Sequence, residues 1–252
     1  VTKADARARI SILGGMVIYV IPDIHGQKAM LDTALARIEA DGGADASLVV
    51  LGDLVDRGPD SRGVIDTLMR GQAAGRDWTV LRGNHDQLFL DFLERGQIHS
   101  ANILSGRSWL NERLGGAQTL ASYGVDSSED APNWQAACAA VPDVHVRYLK
   151  GLPYYHLQDG KLFVHAGILP QAPLEWQSEK DMIWIREPFL SYTGRWPWLV
   201  VHGHTAQDYP SHHGNRVNLD GGAGWGRPLY PAVFDGDDCW LLTETGRVPL
   251  RP

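Results

Sequence analysis

Asp23-Ile24-His25-Gly26, Gly52-Asp53-Leu54-Val55-Asp56-Arg57-Gly58, Arg82-Gly83-Asn84-His85-Asp86 and the pair His165 and His204 are the residues whose types and spacing could do chemistry. Each has a structural explanation when taken alone. Asp and Asn before an amphipathic run serve as helix N-caps, and a histidine at a strand end can be satisfied by backbone. Together they say more. Carboxylate, amide and imidazole groups without thiolates suit manganese, iron or zinc rather than a cysteine-type structural zinc. One carboxylate can bridge two ions roughly 3.5–4 Å apart, and such a pair polarises a phosphoryl oxygen and lowers the pKa of a water. Arginines nearby would neutralise a phosphate and hold it for attack.

The elements that must position these groups alternate strand and helix. Met16–Ile21, Leu48–Leu51 and Trp78–Leu81 are short apolar runs that predict buried strands. Helical patterns follow at Gln27–Ala40, with apolar Met30, Leu31, Ala34, Leu35 and Ile38, then at Ser61–Arg70 and Gln87–Arg95. Each strand ends in one polar cluster, and open α/β sheets place their sites outside strand carboxyl ends. The pattern changes over residues 98–150, where helical segments near Trp109–Tyr123 and Trp134–Val141 predict a helical insertion near the site. Short strands return at Pro153–Leu157, Leu162–His165, Trp198–Val201, Arg216–Asn218, Ala232–Phe234 and Trp240–Thr243, with hairpin turns at Asp159-Gly160 and Asp235-Gly236.

Composition narrows the function classes. With 44% hydrophobic and 21% charged residues, the balance is that of a soluble globular chain. No apolar run reaches the roughly 20 residues of a membrane helix. The best candidate, Ile10–Ile21, is broken by Gly14-Gly15 and leads into Asp23, so a cytoplasmic protein is expected rather than one with a cleaved leader. Two cysteines far apart, Cys138 and Cys239, exclude a disulfide framework. A net charge of −7 opposes non-specific nucleic-acid binding but not a small phosphorylated ligand. A monomer without membrane or nucleic-acid partners is the expectation.

DIHG, GDLVDRG, RGNHD, HAG and HGHT occur in the order characteristic of the metallophosphoesterase superfamily. The complete GDLVDRG block resembles the phosphoprotein phosphatases, including bacterial and phage serine/threonine protein phosphatases. The resemblance covers Met16 to about Phe234. It implies an α/β fold of two mixed sheets packed as a sandwich and flanked by helices. Residues 16–252 would form one catalytic domain, and residues 1–15 an N-terminal extension. It also implies two divalent ions, manganese first, with iron and zinc as metals the same ligands accept. Asp23 and His25 would hold the first ion, Asp53 would bridge, and Asn84, His165 and His204 would complete the second site. His85 would protonate the leaving alkoxide, oriented by Asp56. Arg57, Arg82 and Arg186 would bind phosphate, although Arg186 could instead pair with Glu187 or Glu179.

Two details bear on the substrate. His204-Thr205 is followed by Ala206, so the GHxH histidine of many phosphodiesterases is missing, as in the phosphoprotein phosphatases. Asp86, by contrast, stands where those phosphatases have glutamate, and symmetrical dinucleoside tetraphosphate hydrolases carry GNHD. Those hydrolases commonly replace the aspartate of DRG, which is Asp56 here. The expectation is therefore a phosphomonoester hydrolase acting on phosphoserine or phosphothreonine in proteins, with a dinucleoside polyphosphate hydrolase as the alternative. A catalytically silent phosphate-binding regulatory module is disfavoured, since such a protein should have lost ligands. The segment Asn218–Ala223 is expected to close over the site. Trp109 and Trp225 are candidates to touch substrate. His145, His156, His202, His212 and His213 are expected to be mostly surface or strand residues.

Overall fold

Residues that alternate in a strand must bury two opposite faces when both sides of the sheet are covered, and the first strand shows this directly. In the computed structural model, which describes residues 16–252, β1 (Ile18–Ile21) turns Ile18 and Val20 to one side and Tyr19 and Ile21 to the other, all four buried. The predicted extension, residues 1–15, lies outside the described residues.

Helix α1 (Lys28–Gly42) follows, then β2 (Ser47–Val50), α2 (Ser61–Ala73), β3 (Trp78–Val80) and α3 (Asn84–Arg95). The insertion carries α4 (Gly116–Ser122), α5 (Trp134–Ala140) and α6 (Asp143–Gly151). The second half comprises β4 (Tyr155–Gln158), β5 (Lys161–Val164), α7 (Glu179–Trp184), β6 (Leu199–His202), β7 (Ser211–His212), β8 (Arg216–Asn218), β9 (Ala232–Asp235), β10 (Asp238–Thr243) and β11 (Gly246–Pro249). One sheet has the order β11-β10-β9-β1-β2-β3 and the other β4-β5-β6-β8-β7. Within each, three strands run parallel: β1, β2 and β3 in the first, β5, β6 and β8 in the second. The two mixed sheets expected from the resemblance are present.

The sheets share an apolar core in which Ile18, Val20, Val49, Leu51 and Leu81 meet Phe163, Val201, Val217 and Leu219. The outer face of the first sheet packs on α1, α2, α3 and the insertion. The outer face of the second is covered by Met182, Ile185 and Phe189. No helix of the described residues is long and apolar enough to cross a membrane.

Most predicted elements appear within a few residues of their expected bounds, with informative exceptions. Helix α3 begins at Asn84, not Gln87, because the Asp86 side chain accepts from the Gly83 N–H and caps the first turn. That shift puts Asn84 and His85 on the rigid first turn of a helix. The segment before α4 is a run of turns, not helix, while α6, α7, β7 and β11 are additions to the predicted elements.

Candidate active site

Every one of the five clusters lies just beyond a strand that runs into the same edge. The loop after β1 supplies Asp23 and His25, the loop after β2 supplies Asp53, Asp56 and Arg57, and β3 leads to Asn84 and His85. From the second sheet, β5 leads to His165 and β6 to His204. Sharp loop paths are needed to turn these side chains inward. His25, Asp53, Asp56, Arg57 and His204 all have left-handed backbone, with φ between 49° and 76°. Such residues each cost on the order of 1–3 kcal/mol, so the surrounding hydrogen bonds must hold them. Val55 and Asp56 sit on a loop tied to β1's end through His25 N–H donating to the Asp53 carbonyl at 2.8 Å.

Asp53 is the shared member of two groups of ligand atoms, each within 4.8 Å: His25, Asp53 and His85, and Asp53, His165 and His204. Their proton bookkeeping is decisive for what they can hold. His25 Nδ1 donates to the Val55 carbonyl at 2.9 Å, leaving Nε2 bare and 3.4 Å from Asp53 Oδ2. His165 Nδ1 donates to the Leu51 carbonyl at 2.9 Å, leaving Nε2 bare, 2.9 Å from Asn84 Oδ1 and 3.4 Å from Asp53 Oδ1. His204 Nδ1 lies 2.8 Å from the same Asn84 oxygen, and its buried Nε2 has no partner. Burial lowers the pKa of all three imidazoles, that of His165 to about 3, so they are neutral. Lone pairs of nitrogen and oxygen therefore converge on one another without a proton between His165 and its neighbours. Burial raises the pKa of the Asp23 and Asp53 carboxyls, and repulsion from Asp220 on Asp23 and from Asp86 on Asp53 adds to it. A donor set of this kind fits divalent cations, and its lack of thiolate fits the harder ones.

Asp23 stands slightly apart from these groups. Both of its carboxylate oxygens accept from the His204 N–H, at 3.1 and 3.0 Å. A Cβ at Gly203 would collide with Asp23 Oδ1, so glycine before His204 is what lets the two sheets' loops meet here.

His85 and Asp56 form a buried dyad. His85 Nδ1 donates to Asp56 Oδ2 at 2.6 Å, and Arg57 Nη2 donates to His85 Nε2 at 3.1 Å. Two further donors reach the carboxylate from the insertion: Trp109 Nε1 at 2.7 Å and Thr119 Oγ1 at 2.6 Å. Burial pushes the Asp56 carboxyl up to about 7 against these hydrogen bonds. Three donors leave a carboxyl proton no acceptor, so the anion is the form the geometry holds. Trp109 thus has its role under the site, fully buried, and not on substrate. Thr119 is absent from the predicted site, because nothing local in the sequence marks a donor so far along the chain from its acceptor.

The three arginines part company. Arg57 and Arg186 line a cavity of about 430 Å³ together with His25, Asp53, His85 and Trp225. Arg57 lies 4.5 Å from the Trp225 ring centroid, and its Nη1 is 2.5 Å from His25 Nε2. Arg186 does not pair with Glu187, whose carboxylate accepts from Ser191. Arg82, expected to bind phosphate, points the other way. Its Nε donates to the Leu149 carbonyl at 3.1 Å, Nη1 to Tyr154 at 2.8 Å and Gln87 at 3.2 Å, and Nη2 to the Lys150 carbonyl. It donates to the Leu149 and Lys150 carbonyls at the end of α6, the first of which also accepts from the Leu152 N–H, and so belongs to the scaffold. Asp86 is likewise structural: its two oxygens accept from Leu54 and Gly83 N–H at 2.9 and 2.8 Å, away from the cavity.

The loop after β8 does reach the site, with Asp220 and Trp225 on the cavity wall. None of His145, His156, His202, His212 or His213 lines it; His202 is a strand residue in β6, as expected, whereas His145 is buried in α6.

The model of the calcineurin-like phosphoesterases matches residues 16–227 of this chain. The chain belongs to that family. It is a metallophosphoesterase, a family with a dinuclear divalent site, and the converging His and Asp groups could hold such ions. Among curated proteins it is similar to serine/threonine-protein phosphatase 1 of Salmonella typhimurium, at 27% identity over 70% of this chain and 72% of that one. It is also similar to the symmetrical bis(5'-nucleosyl)-tetraphosphatase of Ralstonia nicotianae, at 33% identity over 61% of this chain and 42% of that protein. The match to the corresponding Janthinobacterium enzyme, at 28% identity, spans half of its length. A solved structure provisionally assigned as a diadenosine tetraphosphatase superposes with a TM-score of 0.65 at 24% identity, covering 96% of both chains. A cold-active protein-tyrosine phosphatase from Shewanella gives 0.60 at 16% identity, covering 94% of this chain and 81% of that one. At those identities, the two structures speak for the fold alone.

Proposed function

We propose that this metallophosphoesterase hydrolyses phosphomonoesters of alcohols, with phosphoserine and phosphothreonine in proteins as its substrate class. The observation that carries this is the His85–Asp56 dyad, buried and supplied with donors from Trp109 and Thr119. A serine or threonine alkoxide is about as basic as hydroxide, so its departure needs a proton. A nucleotide leaves instead as a terminal phosphate whose pKa is about 6, and gains little from a general acid. A site that invests a buried carboxylate in orienting one imidazole is built for the first case. To act as the acid, His85 would carry protons on both ring nitrogens, keeping the one on Nδ1 toward the Asp56 anion and giving the one on Nε2, which faces the cavity beside Arg57, to the departing ester oxygen. Arg57 and Arg186 grip the phosphoryl oxygens. Divalent ions held by Asp23, His25 and Asp53, and by Asp53, Asn84, His165 and His204, would supply Lewis acidity toward phosphate and water, manganese being the metal to test first.

The test is a series of alkyl and aryl phosphates of graded leaving-group basicity, run on wild type and His85→Asn with manganese. The expected loss in kcat is about 10²–10⁴-fold for alkyl esters and much smaller for p-nitrophenyl phosphate. A loss independent of the leaving group would remove the role given to His85.

A second possibility, hydrolysis of dinucleoside polyphosphates, is favoured by the tetraphosphatase relatives and by the arginine-lined cavity. Faster turnover of diadenosine tetraphosphate than of a phosphoserine peptide would decide for it.

A further inference from the structure

The cavity has a wall that the catalytic machinery does not use. It is formed by the insertion, through Arg107 and Arg113 with the apolar side chains of Leu104 and Leu114. Neither guanidinium takes part in an ion pair or a side-chain hydrogen bond among the described residues, although the chain as a whole carries a net charge of −7. Here two face the same concavity as Arg57 and Arg186, and four guanidiniums on one cavity focus positive potential at its mouth.

The backbone that carries Arg113 is tied to Arg57. The Arg113 carbonyl accepts from Arg57 Nε at 3.4 Å, and the Gly115 carbonyl accepts from the Arg57 N–H at 3.3 Å. Gly115 has φ 90°, and a Cβ there would strike the Arg57 backbone nitrogen, so only glycine permits this approach. The turn is closed by Leu114 and Gly115 N–H donating to the Asn111 carbonyl, each at 2.9 Å. On its other side Trp109 anchors the segment, its N–H donating to the Ile98 carbonyl and its indole to Asp56. The backbone of Arg113 is thereby held against Arg57, with Arg107 shortly before the anchored Trp109.

We propose that Arg107 and Arg113 form a second phosphoryl subsite, so that the enzyme prefers substrates bearing another phosphoryl group close to the one it cleaves. This rests on the metallophosphoesterase site described above and assigns its specificity to the insertion. A planar guanidinium fork suits phosphoryl oxygens, and the apolar Leu104 and Leu114 flank it with surface for the group that joins the two phosphates. A neighbouring phosphoresidue in a peptide and the polyphosphate chain of a dinucleotide both present this chemistry.

The experiment compares kcat/KM of wild type and the double variant R107A/R113A in saturating manganese. Substrates are p-nitrophenyl phosphate, a peptide with one phosphoserine, the same peptide with two adjacent phosphoserines, and diadenosine tetraphosphate. Loss of two partly exposed charge contacts should lower the ratio of a multiply phosphorylated to a singly phosphorylated substrate by about tenfold. The loss should appear in KM more than in kcat, and R107K/R113K should recover part of it. Whichever multiply phosphorylated substrate loses the ratio identifies the source of the second group. Ratios within about threefold of wild type for both overturn the subsite. Because His85→Asn acts on kcat through leaving-group basicity, failure of the subsite and failure of the proposed general acid give different signatures.

Discussion

The strand-end rim and the helical insertion divide the site between them in an unequal way. The rim, built from loops after β1, β2, β3, β5 and β6, carries both groups of candidate cation ligands and the His85–Asp56 dyad. The insertion carries none of these. It supplies the two hydrogens that hold Asp56 as an anion, from Trp109 and Thr119, and the outer wall of the cavity. The reacting groups are thus fixed by a rigid sheet edge, while their electrostatic state and the shape of the opening depend on a segment packed against α2 and α3. The same chemistry can be kept while selectivity changes, because the two are held by different parts of the chain.

The sharpest way to break this division is at Asp53, the ligand common to both groups. Asp53→Ala is expected to abolish binding of both ions and to lower activity by about a thousandfold or more. Elemental analysis that still finds two metal equivalents per chain would mean the rim does not depend on the shared carboxylate. Next in size are the donors from the insertion. Trp109→Phe and Thr119→Val should each reduce kcat about ten- to a hundredfold, the usual scale for partners that orient a site group. Metal content should stay at the wild-type level. If either variant loses metal instead, rim and insertion are not separable as described.

A third comparison separates two arginines of one sequence neighbourhood. Arg82→Met should leave kcat/KM near wild type but cost about 1–3 kcal/mol in a urea melt, since the Leu149 and Lys150 carbonyls lose the guanidinium that ties the end of α6 to β3. Arg57→Met should do the reverse. A catalytic defect in Arg82→Met would return that residue to the cavity. The smallest effect serves as a scale outside both regions. Asp41 accepts from Tyr19 at 2.7 Å and from Arg247 at 2.6 Å on the surface, and the Arg247 contact holds its carboxyl below the ordinary value. A depressed carboxyl stabilises the fold above its unfolded pKa and loses that contribution as the pH falls through its folded value. Arg247→Ala should therefore cost about 0.5 kcal/mol at neutral pH, and the gap to wild type should close in acid. A gap that widens in acid would contradict the assigned sign.

Much of the rim is legible in the amino-acid sequence, because a strand's end and a ligand's chemical type are both local properties. Apolar runs of four residues followed by Asp, His or Asn mark where the backbone leaves the core, and parallel strands send those ends to one edge. Two edge strands, one in each sheet, are less legible. β7 has two residues and β11 follows a turn, so neither offers a hydrophobic period to read. Helix α6 is hidden next to α5 because Pro142 between them looks like an end, whereas it opens a new helix. The turns from Trp109 to Gly115 pass for helix because their apolar residues recur at helical spacing.

What the sequence determined by itself is the inventory of metal-seeking groups and their order along sheet edges, since both follow from residue type and short-range periodicity. Which way a long side chain points was decided only in three dimensions. Arg57 and Arg82 sit in equally suggestive motifs, yet one lines the cavity and the other serves the end of a helix formed almost seventy residues later. Arg82 turns inward because the Leu149 and Lys150 carbonyls, the Gln87 amide and the Tyr154 hydroxyl together satisfy its guanidinium there. The same holds for Asp56. Its neighbour in the dyad is visible in the sequence, but the indole and hydroxyl that fix its charge come from a distant segment, and only packing brings them within hydrogen-bond reach.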